Sequence, residues 1–216
     1  ISGLRTINPL GTPDLMRGEE LQLLGWMGAV TGAESDNKSA QLVVLPGTHN
    51  KWALVRDGKI ETFITALTGE LYSLLQNHSV LIAKGESADF SEDIFMQGVT
   101  LATTLESGQL LQALFATRSR QVTGELSEAH ASSYLSGLLI GSDVVGSLGL
   151  MEKQMAALSP TASVLSVDLI GDSALSRCYE LALESMAIKT QRRDATEITM
   201  AGYKAIYESL YRDPAL

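Results

Sequence analysis

Three short stretches carry residue types and spacings suited to chemistry. In "VVLPGTHNKWALV", residues 43–55, an apolar run meets Gly47-Thr48-His49-Asn50-Lys51 and the chain turns into a second apolar run. A strand that ends in Gly-Thr offers backbone N–H groups, a hydroxyl and little bulk, the requirements for holding a phosphate, and Lys51 adds charge. A Gly-Thr turn is also simply a turn, and both readings stand. His49, a lone histidine beside a turn, is more often a hydrogen-bonded structural residue than a ligand or base; His78 and His130 are distant and show no metal-like spacing, so no metal site is assigned. In Met16-Arg17-Gly18-Glu19-Glu20 a carboxylate beside a glycine suits proton abstraction from a hydroxyl, and an arginine suits an anionic group. Two acidic residues at a helix start also favour the helix dipole without any catalytic role. In "DLIGDSAL", residues 168–175, Gly171, Asp172 and Ser173 form a turn between a strand and a helix, an arrangement found at nucleotide sites and in many non-binding crossovers.

Simple elements place these stretches. Leu21, Leu24, Trp26 and Met27 predict a helix over 17–29, with Glu19 and Glu20 in its first turn. "QLVVLP" predicts a strand, and "KWALVRDGKIETFITA" two strands joined through Asp57-Gly58. Helical spacing of Leu, Ile and Ala covers 70–83, 91–117 and 127–149, broken at "KGESAD" and "VTGEL". A strand through Ile170, a turn at Gly171-Asp172, a helix from Ser173 and a last helix over 198–211 complete the chain. Strands followed by helices, twice over, with a helical insertion between them, predict an α/β fold.

Composition narrows the function. The 216 residues are 45% hydrophobic and 19% charged, which suits globular structure. A net charge of -9 argues against nucleic acid or an acidic membrane as partner. One cysteine, Cys178, excludes an internal disulfide and suits a reducing compartment, so a cytoplasmic location is expected. No run of 18 uninterrupted apolar residues and no signal-peptide pattern is present. The chain starts at Ile1 rather than Met, and sequence ahead of it is expected.

Order links the stretches. In sugar kinases of the actin-like ATPase superfamily a Gly-Asp-Gln-Gln stretch at a helix start supplies the base, then a strand turns at a Gly-Thr-Gly phosphate loop. "RGEELQLLG" precedes "VVLPGTHNKW" in the same way, and "VDLIGDSALSRCYELAL" and "EITMAGYKAIYESL" follow in the places of the adenosine strand and the C-terminal helix. The segments "LMRGEELQLLG", "LPGTHNKW", "TALTGELYSLLQNHSVL" and "YLSGLLIGSDV" resemble the 2-dehydro-3-deoxygalactonokinases, or 2-oxo-3-deoxygalactonate kinases, over nearly the whole chain.

That resemblance implies an actin-like ATPase (ribonuclease H-like) sugar-kinase fold, mainly its C-terminal lobe. Residues 1–40 would form a connection and the base-bearing helix, and 41–216 the lobe. It implies ATP and Mg2+, and phosphorylation of the terminal hydroxyl of 2-dehydro-3-deoxy-D-galactonate in D-galactonate breakdown. Glu19 would be the catalytic base; Arg17, Gly18, Glu20 and His49 would meet the sugar acid. Gly47, Thr48 and Lys51 would meet the phosphates, and Gly171, Asp172 and Ser173 the adenosine. Glu stands where superfamily members commonly have Asp, so Glu20 is the alternative base. Thr68 and Glu70 are expected chiefly to cap a helix.

The superfamily's first phosphate loop, a strand followed by Asp-x-Gly-Thr/Ser-Thr, has no counterpart: "NPLGTPD" has a proline at the turn and is expected to lack a preceding strand. The chain is therefore expected to hold the second lobe of a longer protein. Two other functions stay open: a kinase for another sugar acid such as 2-dehydro-3-deoxygluconate, and a non-catalytic nucleotide-binding regulator. An actin-type assembly protein is disfavoured by the sugar-acid motifs. The apolar face over 90–150 fits either a homodimer interface or a cover for the sheet.

Overall fold

The computed structural model describes residues 3–31, 40–83, 90–158, 164 and 166–211. The break expected at "KGESAD" falls on 84–89, outside the described residues.

The apolar run of the opening motif is β3 (Gln41–Leu45), and the chain reverses at 46–49 into β4 (Asn50–Arg56). Asp57 and Gly58 both have positive φ, 51° and 69°, which lets two residues turn β4 into β5 (Lys59–Ala66). β6 (Ser166–Gly171) and β7 (Lys189–Asp194) join parallel to β3, so the sheet order is β5-β4-β3-β6-β7 with an antiparallel half and a parallel half. This is an α/β arrangement built on one mixed sheet.

Successive residues of a strand point to opposite faces, and here both faces are covered. Leu42, Val44, Trp52 and Leu54 face Phe95 and Val99 of α3 (Glu92–Thr104), Ile140, Val144 and Met151 of α5 (Ala131–Leu158), and Tyr179 and Leu183 of α6 (Ser173–Glu184). Val43, Leu45, Ala53, Val55 and Phe63 face Leu23 and Trp26 of α1 (Glu19–Thr31) and Ile198 of α7 (Ala195–Tyr211). Thus α1, expected from the sequence as the base-bearing helix of residues 1–40, shares one core with the sheet. α2 (Thr68–His78) and α4 (Leu110–Val122) pack with α3 and α5 in a further apolar cluster, where Leu135 and Leu138 are fully buried.

α5 is long and apolar enough to cross a membrane by length and composition, but 67% of its most apolar window is buried inside the fold. It also crosses α3 closely: a Cβ at Gly137 would stand 1.9 Å from the Phe95 carbonyl oxygen.

Several expected elements differ. The helical stretch over 91–117 is two helices, with 105–109 between them. The one over 127–149 opens as a 3-10 turn, Glu128–His130, before α5. β7, "KTQRRD", was not expected because four of its six residues are exposed and all six are polar or charged. "NPLGTPD" does follow a strand: β1 (Leu4–Ile7) pairs antiparallel with β2 (Pro13–Met16). Four residues are too few for alternation to register. Asp14 ties this hairpin to β5 by accepting from the Thr65 N–H at 2.8 Å and the Thr65 hydroxyl at 2.7 Å.

Candidate active site

The carboxyl ends of the parallel strands β3 and β6 lie side by side, where open α/β sheets commonly place ligands. β3 delivers the loop Pro46 to His49, and β6 delivers Gly171 and Asp172 to the start of α6. The N-terminus of α1 reaches the same edge. Glu19, Gln22, Thr48, His49, Gly171 and Asp172 line one cavity of about 390 Å³.

The loop is held from several sides. The Gly47 N–H donates to Asn50 Oδ1 at 2.6 Å, and the Thr48 carbonyl accepts from the Glu70 N–H at 2.9 Å. A Cβ at Gly69 would lie 2.4 Å from the Gly47 carbonyl oxygen, so only glycine permits this approach. Thr48 itself is exposed, and its hydroxyl has no partner among the described residues.

Glu19 stands at the junction of two cavities. Its Oε1 lies 3.2 Å from Lys51 Nζ, and its Oε2 accepts from the Arg17 N–H at 3.1 Å. It borders the 390 Å³ cavity and also a second one of about 690 Å³, lined with Asp14, Arg17, His49, Lys51 and Thr65. Gly18 has φ +119°, a conformation strained for other residues, and this sets the corner that presents Glu19. Arg17 is exposed and its guanidinium has no ion pair among the described residues. Burial pushes the Asp14 carboxyl up, but hydrogen bonds from Thr65, Asn8 and Leu15 outweigh this and hold it below the usual range.

Not every predicted residue faces a cavity. Glu20 folds back, its Oε2 accepting from the Gly18 N–H at 2.6 Å, and it lines none of the three cavities described. Lys51 is buried against Glu19 and the His49 carbonyl and borders the Arg17 cavity, away from the Gly47–Thr48 side. His49 Nε2 lies 2.5 Å from Glu70 Oε2, tying the loop to α2. Asp172 caps α6, its Oδ1 accepting from Ala174 and Leu175 N–H groups; Ser173 is exposed and lines none of the three cavities. Thr68 does not cap α2. The N-cap is Leu67, and the Thr68 hydroxyl instead donates to Asp143 Oδ2 at 2.9 Å.

The largest of the three cavities, about 820 Å³, was not foreseen. It opens on the other side of the loop, lined by Gly47, Asn50, Thr68 and Gly69 at one end and by Tyr72, Phe90, Ser132, Ser136, Leu175 and Cys178 beyond. Burial pushes the Cys178 thiol up to about 11. On its floor, Tyr179 hydrogen-bonds to Asp143 and Asn50; burial first, then the charge of Asp143, raises its phenol well above the ordinary range. A lone acid in the apolar "LLIGSDVVGSLGLM" was the available signal for this floor.

A sequence model of the 2-keto-3-deoxy-galactonokinase family matches residues 1–206. The chain belongs to that family. Among curated proteins, it is 35% identical over 203 residues to one from Rhizobium meliloti named a probable 2-dehydro-3-deoxygalactonokinase, covering 92% of this chain and 60% of that protein. It is 32% identical over 193 residues to the 2-dehydro-3-deoxygalactonokinase of Escherichia coli, covering 89% and 59%. A crystal structure named as a putative 2-dehydro-3-deoxygalactonokinase from Sinorhizobium meliloti superposes with a TM-score of 0.78 at 31% identity, covering 97% of this chain and 64% of that one. The chain therefore spans about 60% of the length of these galactonokinase relatives. Within the family match lie both the Arg17–Glu20 corner and the Gly47–Lys51 loop.

Proposed function

We propose that the chain serves an ATP-dependent kinase that phosphorylates the terminal hydroxyl of 2-dehydro-3-deoxy-D-galactonate. The observation that carries this reading is the position of Glu19. One carboxylate borders both the cavity beside Thr48 and the cavity beside Arg17, so an acceptor hydroxyl and a terminal phosphate can meet at it.

Phosphoryl transfer asks for alignment of the hydroxyl with the γ-phosphate, neutralisation of charge and a proton acceptor. In this reading the nucleoside enters the 820 Å³ cavity between α2, α5 and α6. Its phosphates cross Gly47 and reach the Thr48 hydroxyl. The sugar acid occupies the opposite cavity, with its carboxylate on the Arg17 guanidinium and its terminal hydroxyl at Glu19. Glu19 accepts the hydroxyl proton as the oxygen attacks phosphorus and ADP departs. Lys51 and the Arg17 N–H hold the carboxylate in place meanwhile.

Among the described residues no group of three or more His, Cys, Asp and Glu gathers to hold a metal. The cavity beside Thr48 does contain Asp172, whose Oδ2 has no described partner, and Glu19. One or two carboxylates suit Mg2+ arriving on substrate phosphates, with Asp172 the residue to hold it. Bound there, Mg2+ would supply charge neutralisation for the phosphates.

The test is ADP release by the protein at its natural length, with ATP, Mg2+ and the sugar acid, comparing wild type with Glu19→Gln. Turnover that needs the sugar acid and falls by roughly 100-fold or more in the variant, the scale of a lost general base, is expected. No turnover with this substrate but turnover with 2-dehydro-3-deoxygluconate would move the substrate assignment. Unchanged turnover in Glu19→Gln would remove Glu19 from its role.

A further inference from the structure

We propose that Asp143, on α5, is a positioning residue for the nucleotide phosphates, acting through Asn50 on the Gly47 backbone N–H. The inference rests on the kinase reading above.

Asp143 is buried in the middle of an apolar helix and accepts five hydrogen bonds from four elements. Its Oδ2 accepts from Asn50 Nδ2 at 2.9 Å, the Thr68 hydroxyl at 2.9 Å and the Tyr179 phenol at 2.5 Å. Its Oδ1 accepts from Trp52 Nε1 at 3.1 Å and the Ser147 hydroxyl at 2.8 Å. Burying an acid is costly unless such donors surround it, and leaving one of the donors unpaired is costly too. A structural reason for the cluster alone is weak, because apolar residues of similar volume would pack there as well.

Its relation to the phosphate loop gives the cluster a use. Asn50 is 1% exposed and its amide has two ends. The carboxylate of Asp143 can only accept from a donor, so it selects the orientation in which Asn50 points its NH2 inward. Oδ1 is thereby turned to the loop, where it accepts the Gly47 N–H at 2.6 Å. The peptide plane before Gly47 is then set, while the Gly47 carbonyl of the following peptide is closed in by Gly69 and the Thr48 carbonyl is held by the Glu70 N–H. What remains available to a phosphate is the Thr48 side of the turn. Removal of Asp143 frees the Asn50 amide to rotate and the loop to lose this setting before nucleotide arrives.

The experiment compares Asp143→Asn, Asn50→Asp and the double exchange, Asn50→Asp with Asp143→Asn, in the natural-length protein. The double exchange reverses the direction of the central hydrogen bond and keeps an acceptor for Gly47. Dissociation constants for ADP with Mg2+ are read by calorimetry, and KM for ATP and for the sugar acid by turnover. Each single variant is expected to weaken ADP binding about tenfold or more, the scale of one charge-assisted hydrogen bond, with the sugar-acid KM within about twofold. The double exchange is expected to recover most of the loss. Single variants that bind ADP as wild type does, or a double exchange no better than the worse single, would overturn the role. Equal rises in both KM values would do so as well, since they indicate general loosening. Tyr179→Phe, which keeps the ring and removes one donor, reads the same way should a carboxamide variant fail to fold. A wild type that does not bind ADP with Mg2+ overturns the kinase reading itself; binding in wild type with unaltered variants overturns only Asp143.

Discussion

The Glu19 carboxylate and the Lys51 ammonium stand 3.2 Å apart, one at the start of a helix and the other at the start of a strand. Lys51 is nearly inaccessible while Glu19 is about one-third exposed, 5% against 29% of the side chain. The buried member thus acts as a fixed post for the accessible one. Lys51→Met is expected to lower kcat by about 10- to 100-fold, since Glu19, in its proposed role as proton acceptor, would lose its alignment. Stability should fall by about 1–2 kcal/mol, between the values for exposed and for buried pairs. Steady-state kinetics and urea unfolding check both; an unchanged kcat would mean that Glu19 holds its place without Lys51.

Arg17 has no ion pair among the described residues and borders the cavity assigned to the sugar acid. Arg17→Ala is expected to raise the sugar-acid KM by about tenfold or more, the loss of a charge-assisted contact, with little change in ATP KM. A shift confined to ATP would place the arginine on the phosphates instead.

Gly69 leaves no room for a side chain beside Gly47. Gly69→Ala sets a methyl against a backbone oxygen, which must push the loop from α2. A stability loss of about 1–3 kcal/mol, the range for overpacking, is expected, together with weaker ADP binding. Thermal unfolding and calorimetry measure the two; full ADP affinity in a folded variant would show that the loop tolerates displacement.

Alkaline conditions should weaken the fold. The Cys178 thiol is raised from 9.0 to about 11 by burial, and the Tyr179 phenol well above 10.0 by burial and Asp143. As pH rises through this range the unfolded chain releases these protons while the folded chain keeps them. The unfolded state then binds fewer protons, so stability falls with increasing pH. Urea midpoints from roughly pH 8 to pH 11 should decline, and Cys178→Ser with Tyr179→Phe should flatten the decline. An equally steep decline in the double variant would assign it to other groups.

Much of the sheet could be read locally. The β-branched run of β3, the Asp57-Gly58 hairpin and the strand-turn-helix at Gly171 each announce themselves within a few neighbours, because period and turn chemistry are short-range properties. β1 and β7 were missed for the opposite reason: four residues are too short for a pattern, and "KTQRRD" is stabilised by pairing with β6 rather than by burial of its own side chains. Thr68 was read as a cap because position before a helix predicts one. Its hydroxyl turns away because Asp143, distant in sequence, offers a charged acceptor.

The sequence by itself determined the order of the Arg17–Glu20 corner, the Gly47–Lys51 loop and the Gly171–Ser173 turn, and the family that this order belongs to. Tertiary structure alone decided which partners these groups have. Lys51 meets Glu19 and the His49 carbonyl, Glu20 returns to Gly18, and Asp143 accepts from Asn50. The physical reason is that a motif is set by neighbours along the chain, whereas a side chain's partner depends on helix rotation and strand register. Those are fixed by how both faces of the sheet are packed, and no local spacing records them.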